Sequence, residues 1–310
     1  GADALRIGLI GSRSAAQNQA FSTSKVIAGR NFCNKLWNIA RFIEGKLGEG
    51  FAPADPIPAT LADNWIIQRL ISTADLAAEQ IASYRFAEAS ETVYHAIWDD
   101  VADWYIEASK KQENPDMLAW VLDTSLRLAH PFAPFVTETI WQTLGWHEEQ
   151  LISSHWPQPI EYSDISAAQF EQLQLLVNES RYVTSELPGN KKYTLLYQED
   201  SLIEENRELI KHLAKLEEVT QADQARGLRL AASNREAWLD VDDDTLYEHQ
   251  TNLEVRIAET KQFISNLEGR LGNASYVDKA PERLVEETRQ QLVEKQDLLV
   301  RLARELEVLS

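Results

Sequence analysis

Mostly apolar residues recur at alternating steps of three and four beyond residue 245, and this heptad pattern constrains the fold more than any other feature. The first series is Leu246, Gln250, Leu253, Ile257, Thr260, Ile264, Leu267 and Leu271, and the second is Val285, Thr288, Leu292, Lys295, Leu299, Leu302, Leu306 and Leu309. A seam with this period is buried when two helices wrap around each other. Gly272 and Pro281 separate the two series, so we predict an antiparallel coiled-coil hairpin over residues 245–310.

Folding the chain back at this loop predicts which residues face each other across the hairpin. The expected pairs are Leu271 with Val285, Leu253 with Leu302, and Thr260 with Lys295. A polar pair inside an apolar seam can fix the register of a coiled coil. We therefore expect Thr260 and Lys295 to set the register, with Glu259 or Glu294 as the ionic partner of the lysine.

Five amphipathic helices are predicted in the first 150 residues. The Gly- and Pro-rich residues 48–60 cannot be helical, and Gly145 ends the fifth helix. The expected inward residues are Phe32, Leu36, Ile39 and Ile43 in the first helix, Ile67, Leu70, Ile71, Ala74, Ala78 and Ile81 in the second, Val93, Ile97, Val101, Trp104 and Tyr105 in the third, and Leu118, Val121, Leu122 and Ser125 in the fourth. Short links between consecutive helices favour an antiparallel bundle, which we place at residues 1–158.

Short alternating runs follow the bundle and predict strands in "YTLLYQ", "EEVTQ", "LRLAAS" and "AWLDVD", with a helical stretch at 202–214. We assign residues 159–244 to a small α+β module. The predicted fold class is therefore mainly α: a helical bundle, a small α+β module and a coiled-coil hairpin.

Composition excludes several classes of protein. No apolar run is long enough to span a membrane and no signal segment is present, so we expect a cytosolic chain without a membrane partner. The single cysteine, Cys33, has no nearby Cys or His, which argues against a disulfide or zinc site and favours a core position. The chain begins with Gly1 rather than methionine, and its only methionine is Met117. We therefore expect the chain to be processed or to be a piece of a longer one.

The charge is unevenly distributed along the chain. The net charge is −19, yet residues 1–50 hold seven basic and three acidic residues, so the remaining residues carry −23. A positive first segment on an acidic body is compatible with RNA binding on one face.

No motif for catalysis or metal binding is present. The sequence lacks a Gly-rich phosphate loop, paired zinc ligands and a G-x-S-x-G elbow, and position 151 after His147 is leucine rather than a second histidine. The acidic residues 99–103 and 240–244 lack the glycine turn of an EF-hand. We place Trp98, Trp104 and Trp120 in the bundle core. We predict no catalytic residue, metal or cofactor in this chain.

The helix that begins near Arg30 has an unusual polar face. Opposite its apolar stripe lie Asn31, Asn34, Lys35 and Asn38, although asparagine is a mediocre helix former. Amides offer a donor and an acceptor together, which suits the edges of bases. A merely solvated face is an equally weighted alternative on this stretch alone.

Several segments in a fixed order resemble one family. They are "GADALR" (1–6), "GRNFCNKLWN" (29–38), "DWYIEASK" (103–110), "LRLAHPFAPFVTETIWQTL" (126–144) and a "WP" at Trp156. Together they resemble the anticodon-binding domain of class I aminoacyl-tRNA synthetases of the valine, isoleucine and leucine group. The hairpin, with "LGNASYVDKAPERLVEETRQQL" (271–292) at its turn, resembles the C-terminal coiled-coil arm of bacterial valyl-tRNA synthetases.

This resemblance covers essentially the whole chain and implies a function. The chain would be the tRNA-binding part of a valine–tRNA ligase, holding the anticodon region and outer corner of tRNA(Val). The family's H-x-G-H and K-M-S-K-S signatures and its editing domain are absent from the sequence. ATP-dependent aminoacylation would therefore belong to the catalytic domain of the intact, monomeric enzyme.

The resemblance also implies which residues contact RNA. On the bundle these are Asn31, Asn34, Lys35 and Asn38 for bases or phosphates, Arg30 and Arg41 for phosphates, and Phe32 or Trp37 for stacking, although Phe32 also belongs to the apolar stripe. On the arm they are Arg256, Arg270, Lys279, Arg283 and Arg289. Residues 245–310 hold nine basic and twelve acidic residues, so we expect arm contacts to be weak or confined to these five.

Two departures from the family pattern leave contacts open. Asn18 stands where the family usually has aspartate in a Gly-x-Asp-Ile pattern, and Val183 replaces the glutamate of an Ile-Arg-x-Glu segment. Two other functions also fit: a coiled-coil protein-interaction module, favoured by the heptads and the acidic body, and the corresponding fragment of an isoleucine– or leucine–tRNA ligase.

Overall fold

The computed structural model describes residues 1–11, 23–189, 191–224, 226–231 and 233–309. Asn18 and the side chain of Leu309 lie outside the described part, so the expectations on them stay predictions. The chain divides into two compact units, residues 1–172 and 173–310. The predicted fold class is confirmed, since each unit contains the predicted kinds of element. Among the described residues, none of the helices combines the length and hydropathy that crossing a bilayer requires.

The first unit is a bundle of helices. Its elements are α1 (Ala2–Ile10), α2 (Thr23–Leu47), α3 (Leu61–Ala82), α4 (Phe86–His95), a π-helical segment (Ala96–Tyr105), α5 (Ile106–Ser109), α6 (Pro115–Ala129), α7 (Pro134–Leu144) and a short 3-10 turn (Leu151–Ser153). α4, the π-segment and α5 follow one another without a break and form the predicted third helix. α1 was not predicted as a separate helix, and α8 (Asp164–Glu186) begins in this unit.

α1 packs against α2 through a glycine contact. A Cβ on Gly29 would lie 2.7 Å from the backbone oxygen of Ala4, so the two helix backbones can approach this closely only without a side chain there. α1 also fixes the start of α7, because the buried Asp3 carboxylate accepts hydrogen bonds from the backbone N–H groups of Phe135 and Val136 at 3.2 and 2.7 Å. An acceptor at this end satisfies donors that the helix leaves free.

The apolar stripe of α2 is confirmed, and that of α3 is partly wrong. Phe32, Leu36, Ile39 and Ile43 are all at most 4% exposed, so α2 buries the predicted face. In α3 the buried face instead includes Ala77 and Gln80, while Ala78 is exposed. Gln80 is buried because its side-chain oxygen accepts a hydrogen bond from the Thr92 hydroxyl at 3.0 Å, an interaction that an apolar periodicity cannot predict.

The second unit contains a four-stranded sheet with the order β2-β1-β4-β3. Its elements are β1 (Thr194–Tyr197), α9 (Ser201–Glu205), α10 (Arg207–Ala214), β2 (Glu218–Gln221), β3 (Leu228–Arg229) and β4 (Ala237–Asp240). β1 pairs parallel with β2 after the α9–α10 crossover, and the other pairs are antiparallel. Gly227 has a φ of +80°, and a Cβ on it would lie 2.0 Å from the Leu239 oxygen, so only glycine fits before β3.

The terminal hairpin consists of α11 (Asp243–Leu271), α12 (Ala274–Lys279) and α13 (Glu282–Leu309). Leu253, Ile257 and Leu302 form its buried cluster, which confirms the pairing of Leu253 with Leu302. At the base of α11 the seam differs from the predicted heptad. His249 is 1% exposed, whereas the predicted Gln250 is only half-buried. The buried residues there are Thr245, His249, Leu253 and Ile257, which follow one another at steps of four. Repeated steps of four rotate the buried face relative to a regular heptad, as an insertion into a heptad repeat does.

The predicted ionic partner of Lys295 is wrong. The Lys295 ammonium lies over the ring of Phe263, 5.4 Å from its centroid. Within the described residues, no ion pair joins Lys295 to Glu259 or Glu294. The ring supplies the electron-rich surface for the ammonium, so a cation–π contact takes the place of the expected salt bridge.

Candidate nucleic-acid interface

The polar face of α2 is open to solvent. Asn31, Asn34 and Asn38 are exposed, while the stripe behind them is buried. Arg30, directly before Asn31, and Arg41, three residues after Asn38, are exposed too, and within the described part of the chain neither has an ion pair. The helix therefore presents three amides flanked by two guanidinium groups. That arrangement suits hydrogen bonds to base edges with charge-assisted contacts to phosphates on either side.

Lys35 lies in the middle of this face but does not point freely into solvent. Its ammonium is 2.9 Å from an oxygen of Asp103, and it lies over the ring of Trp98, 5.1 Å from the centroid. Its side chain is 30% exposed. A phosphate that contacts Lys35 must therefore replace or join a carboxylate. The sequence did not indicate this partner.

Trp98 and Asp103 reach Lys35 because they belong to the π-helical segment. Residues five apart lie about 140° apart on an α-helix, which turns about 100° per residue. A π-helix bonds each residue to the fifth one along, so Trp98 and Asp103 come to the same side. π-helical turns occur frequently at functional sites.

A series of aromatic rings supports Trp98. The Trp98 ring stacks on Tyr94 with centroids 5.4 Å apart and planes 12° apart, and Tyr94 in turn contacts Phe32 at 5.3 Å. Burial, with a smaller contribution from the Asp99 carboxylate, raises the pKa of Tyr94 above its usual value, so this phenol stays neutral. Phe32 is 3% exposed and thus cannot stack a base, whereas Trp98 is half-buried.

Trp37 stays a candidate for stacking a base, whereas the three tryptophans expected in the core are placed differently. Trp37 is 39% exposed, but it lines a shallow groove with Ile140 and Leu144 on α7. Trp98, Trp104 and Trp120 are half-buried rather than in the core, and the buried indoles of the first unit's described residues are Trp65 and Trp141.

A cleft of about 620 Å³ opens beside Tyr94 on the same side of the bundle. It is lined by α1, α2 and α4 residues, among them Ile7, Lys25, Ala28 and Ser90. The Lys25 ammonium donates a hydrogen bond to the Gly11 oxygen at 3.1 Å. Its lining combines apolar and polar groups, including the acidic Glu91.

Cys33 lies on α2 and is half-buried rather than in the core. Burial, together with the Asp3 carboxylate, raises the pKa of its thiol to about 11. The thiol is therefore protonated at neutral pH and unsuited to nucleophilic chemistry. No three His, Cys, Asp or Glu side chains of the described residues are grouped as a metal site requires.

The predicted RNA-binding residues of the arm fall into two groups. Arg256, Arg283 and Arg289 are each paired with a carboxylate, namely Glu186, Glu287 and Glu286. Arg270 and Lys279 are exposed near the hairpin loop, and neither has an ion pair within the described residues. Of the five predicted residues, Arg270 and Lys279 near the tip are thus the two without a paired carboxylate within the described residues.

Comparison with known families assigns the chain to a class. Residues 63–218 match the model of the anticodon-binding domain of tRNA ligases, which is about half of the chain. The chain therefore belongs to this family. The α2 face lies before the matched residues, while Trp98 and Asp103 lie within them.

The terminal hairpin narrows the assignment. Residues 246–310 match the model of the valyl tRNA synthetase tRNA binding arm. Curated relatives named valine–tRNA ligase include those of Thermotoga maritima (34% identity, 89% of this chain and 33% of the relative), Listeria innocua (32%, 99% and 37%) and Enterococcus faecalis (33%, 93% and 36%). The chain thus spans about a third of the length of these relatives.

Among solved structures, a ternary LeuRS-tRNA-LeuAMS complex from Agrobacterium radiobacter K84 matches with 17% identity and a TM-score of 0.42, over 62% of this chain and 27% of that one. This similarity is too slight to define the fold.

Proposed function

We propose that this chain is the tRNA-binding part of a valine–tRNA ligase, and that the α2 face binds the anticodon loop of tRNA(Val). The observation that carries the proposal is the row of exposed amides Asn31, Asn34 and Asn38 between Arg30 and Arg41. Unpaired loop bases can be splayed out, stacked on aromatic rings and hydrogen-bonded on their edges. The match of residues 63–218 to an anticodon-binding family supports anticodon binding by this chain, while the assignment to α2, which lies before those residues, depends on the amide row.

The hairpin would contact the sugar–phosphate backbone at the outer corner of the tRNA. Arg270 and Lys279 near the tip are suited to phosphates, and contacts of this kind orient a nucleic acid without reading its sequence. In the intact enzyme, a catalytic domain would use ATP to join valine to the bound tRNA. We expect a cytoplasmic monomer whose other partner is that catalytic domain.

Filter binding of the chain to valine, isoleucine and leucine tRNAs tests the proposal. We expect tighter binding of tRNA(Val) than of the other two. A variant with Asn31, Asn34 and Asn38 all replaced by alanine should lose about 3 kcal/mol of binding free energy, because each amide contributes about 1 kcal/mol through hydrogen bonds. The three side chains are exposed, so the fold should be unaffected.

The matched control is Asn178→Ala, which removes an exposed amide from α8. Its tRNA affinity should equal that of the unchanged chain. Equal affinity of the triple variant and the control would contradict the proposal. Failure to bind any tRNA would instead favour the protein-interaction module.

Lys35 provides a second test through charge. Lys35→Glu should weaken tRNA binding by about 1 kcal/mol or more, since a charge-assisted contact is lost and a repulsive one is added. The effect should shrink as salt is added, because ions screen exposed charges. Unchanged binding over a range of salt concentrations would count against a phosphate contact by this lysine.

A further inference from the structure

Lys35 on α2 and two side chains of the π-segment, Trp98 and Asp103, form a contact in which the lysine is held only by weak, exchangeable interactions. The Lys35 ammonium touches an exposed carboxylate, Asp103, whose side chain is 52% exposed, and lies over Trp98, which is half-buried. Exposed ion pairs contribute little to stability, so this lysine can leave its position at small cost. The pair of Lys35 and Asp103 therefore contributes little to the stability of the fold.

We propose, as a deepening of the proposed function on which it rests, that Trp98 is a stacking site for one unpaired base of the bound RNA. In the free protein the Lys35 ammonium covers one face of the Trp98 indole, and its ion pair with Asp103 holds it there. When RNA binds, the base takes the place of the ammonium on the indole. Lys35 then turns to a phosphate of the same RNA.

The chemistry of the ring favours a base as the incoming group. Every base has a π-face, and stacking on an aromatic side chain is a main source of affinity for unpaired nucleotides. The Trp98 ring is held in place by its stack on Tyr94. It therefore offers a fixed platform at the edge of the amide face, where Asn34 and Asn38 flank Lys35 on α2.

Asp103 acts in this proposal as a substitute for a phosphate. It binds the ammonium in the free protein through a carboxylate oxygen at 2.9 Å, the same kind of contact that a phosphate oxygen makes. An RNA must displace it, so Asp103 weakens binding and limits it to ligands that supply a base and a phosphate together. Asp103 is thus a specificity residue that opposes affinity.

The test uses the full chain and tRNA(Val) with 2-aminopurine at each anticodon-loop position in turn. Stacking on an indole quenches this fluorescent base. We expect one position to be quenched on binding, quenching to be lost in Trp98→Leu and largely kept in Trp98→Phe. Trp98→Leu should also weaken binding about tenfold, as loss of one stacking partner does.

The second part of the test uses Asp103→Asn with Asp99→Asn as its control. Asp99 lies on the same segment, and its side chain is 54% exposed, close to the 52% of Asp103, but it pairs with His95 and not with Lys35. Asp103→Asn should tighten binding several-fold and steepen the dependence of log K on log salt by about 0.7, the value of one phosphate contact on a single strand. Asp99→Asn should change both quantities less.

The outcomes separate this inference from the proposed function. If the unchanged chain binds tRNA and the triple asparagine variant does not, the stacking site is refuted and the proposed function stands in either of two cases: no loop position is quenched on binding to the unchanged chain, or the quenched position stays equally quenched in Trp98→Leu. Weaker binding by Asp103→Asn would refute the role of Asp103. Absence of tRNA binding by the unchanged chain overturns both. If Trp98→Leu does not fold, Asp103→Asn decides, because it replaces an exposed carboxylate by an amide of nearly the same size; binding no tighter than that of the unchanged chain would then refute the inference.

Discussion

Replacing the buried carboxylate of Asp63 should destabilise the first unit more than any single change on its surface. Asp63 is 1% exposed and accepts four hydrogen bonds: from the Tyr105 hydroxyl at 2.8 Å, the Asn114 amide at 2.9 Å, and the N–H groups of Ala59 and Thr60 at 3.0 and 3.1 Å. It thereby joins α3, the π-segment, the start of α6 and the link at residues 48–60.

The size of the effect follows from what each donor loses. Loss of the capping box at the start of α3 costs about 1 kcal/mol. The Tyr105 hydroxyl is left buried without an acceptor, which costs about 2 kcal/mol, and the Asn114 amide adds about 1 kcal/mol. Asp63→Ala should therefore cost about 4 kcal/mol. Tyr105→Phe should cost only about 1.5 kcal/mol, since three donors to Asp63 remain.

Urea unfolding followed by tryptophan fluorescence measures these differences. Trp238 is the only tryptophan beyond residue 172, so the signal comes mainly from the first unit. Asp75→Ala, at an exposed position of the same helix, is the control and should change stability by less than about 0.5 kcal/mol. Equal losses for Asp63→Ala and Tyr105→Phe would refute the reasoning, because the carboxylate would then matter only through the phenol.

The same network predicts a loss of stability in alkali. Burial, and to a smaller extent the nearby Asp63, raises the pKa of Tyr105 well above its usual value of 10.0. The phenol of Tyr105 ionises near pH 10 in the unfolded chain but stays neutral in the folded one. The contribution of the neutral, buried phenol to the free energy of unfolding is therefore complete below pH 10 and falls as the pH rises above it. Tyr105→Phe should make the unfolding free energy less dependent on pH in this range.

Three further changes test other parts of the structure. Gly29→Val should destabilise the chain by about 1 to 3 kcal/mol, because its Cβ would lie 2.7 Å from the Ala4 oxygen; an unchanged urea midpoint would contradict the close packing. Cys33, with a pKa raised by burial to about 11 from 9.0, should react with Ellman's reagent at pH 8 about 100-fold more slowly than an ordinary thiol, and a normal rate would contradict the shift. Asp242 caps α11 by accepting hydrogen bonds from the hydroxyl and the N–H of Thr245, and these bonds lower the pKa of the Asp242 carboxyl to about 2. The cap should therefore stabilise the helix above pH 3.8 and be lost as the pH falls towards 2. The amide resonance of Thr245 would report this loss, and Asp242→Asn should remove the pH dependence.

The parts of the fold that follow from periodicity were predictable, and those that depend on a polar contact were not. The α2 stripe and the pairing of Leu253 with Leu302 require only that apolar side chains leave water, which spacing alone reveals. The rotation of α3 depends on the bond between Gln80 and Thr92, and the base of the hairpin depends on a buried His249. Neither has a signature in the apolar pattern.

The candidate site shows the same division. The exposure of Asn31, Asn34 and Asn38 follows from their position opposite the stripe. Trp98 and Asp103 were missed because an α-helical projection places them on different sides. The one available signal was the unbroken four-residue spacing of Val93, Ile97, Val101 and Tyr105, all buried, which a wider turn keeps in line better than an α-helix does.

The net charge of −19 argues against RNA binding through a basic surface. The contacts of the first fifty residues show how the two are compatible. Lys35 and Lys46 are paired with Asp103 and Glu113, so within the described residues Arg30 and Arg41 are the cations of the α2 face without an ion pair. In the proposed complex, attraction of phosphates by this face would therefore be modest, and hydrogen bonding by amides and stacking on rings would supply most of the affinity. Repulsion between the phosphates and the acidic rest of the chain is screened beyond a Debye length of about 8 Å at physiological salt, and hydrogen bonds and stacking act over shorter distances than this. A strongly acidic chain can thus bind RNA on a face where amides and aromatic rings, rather than a basic patch, make the contacts.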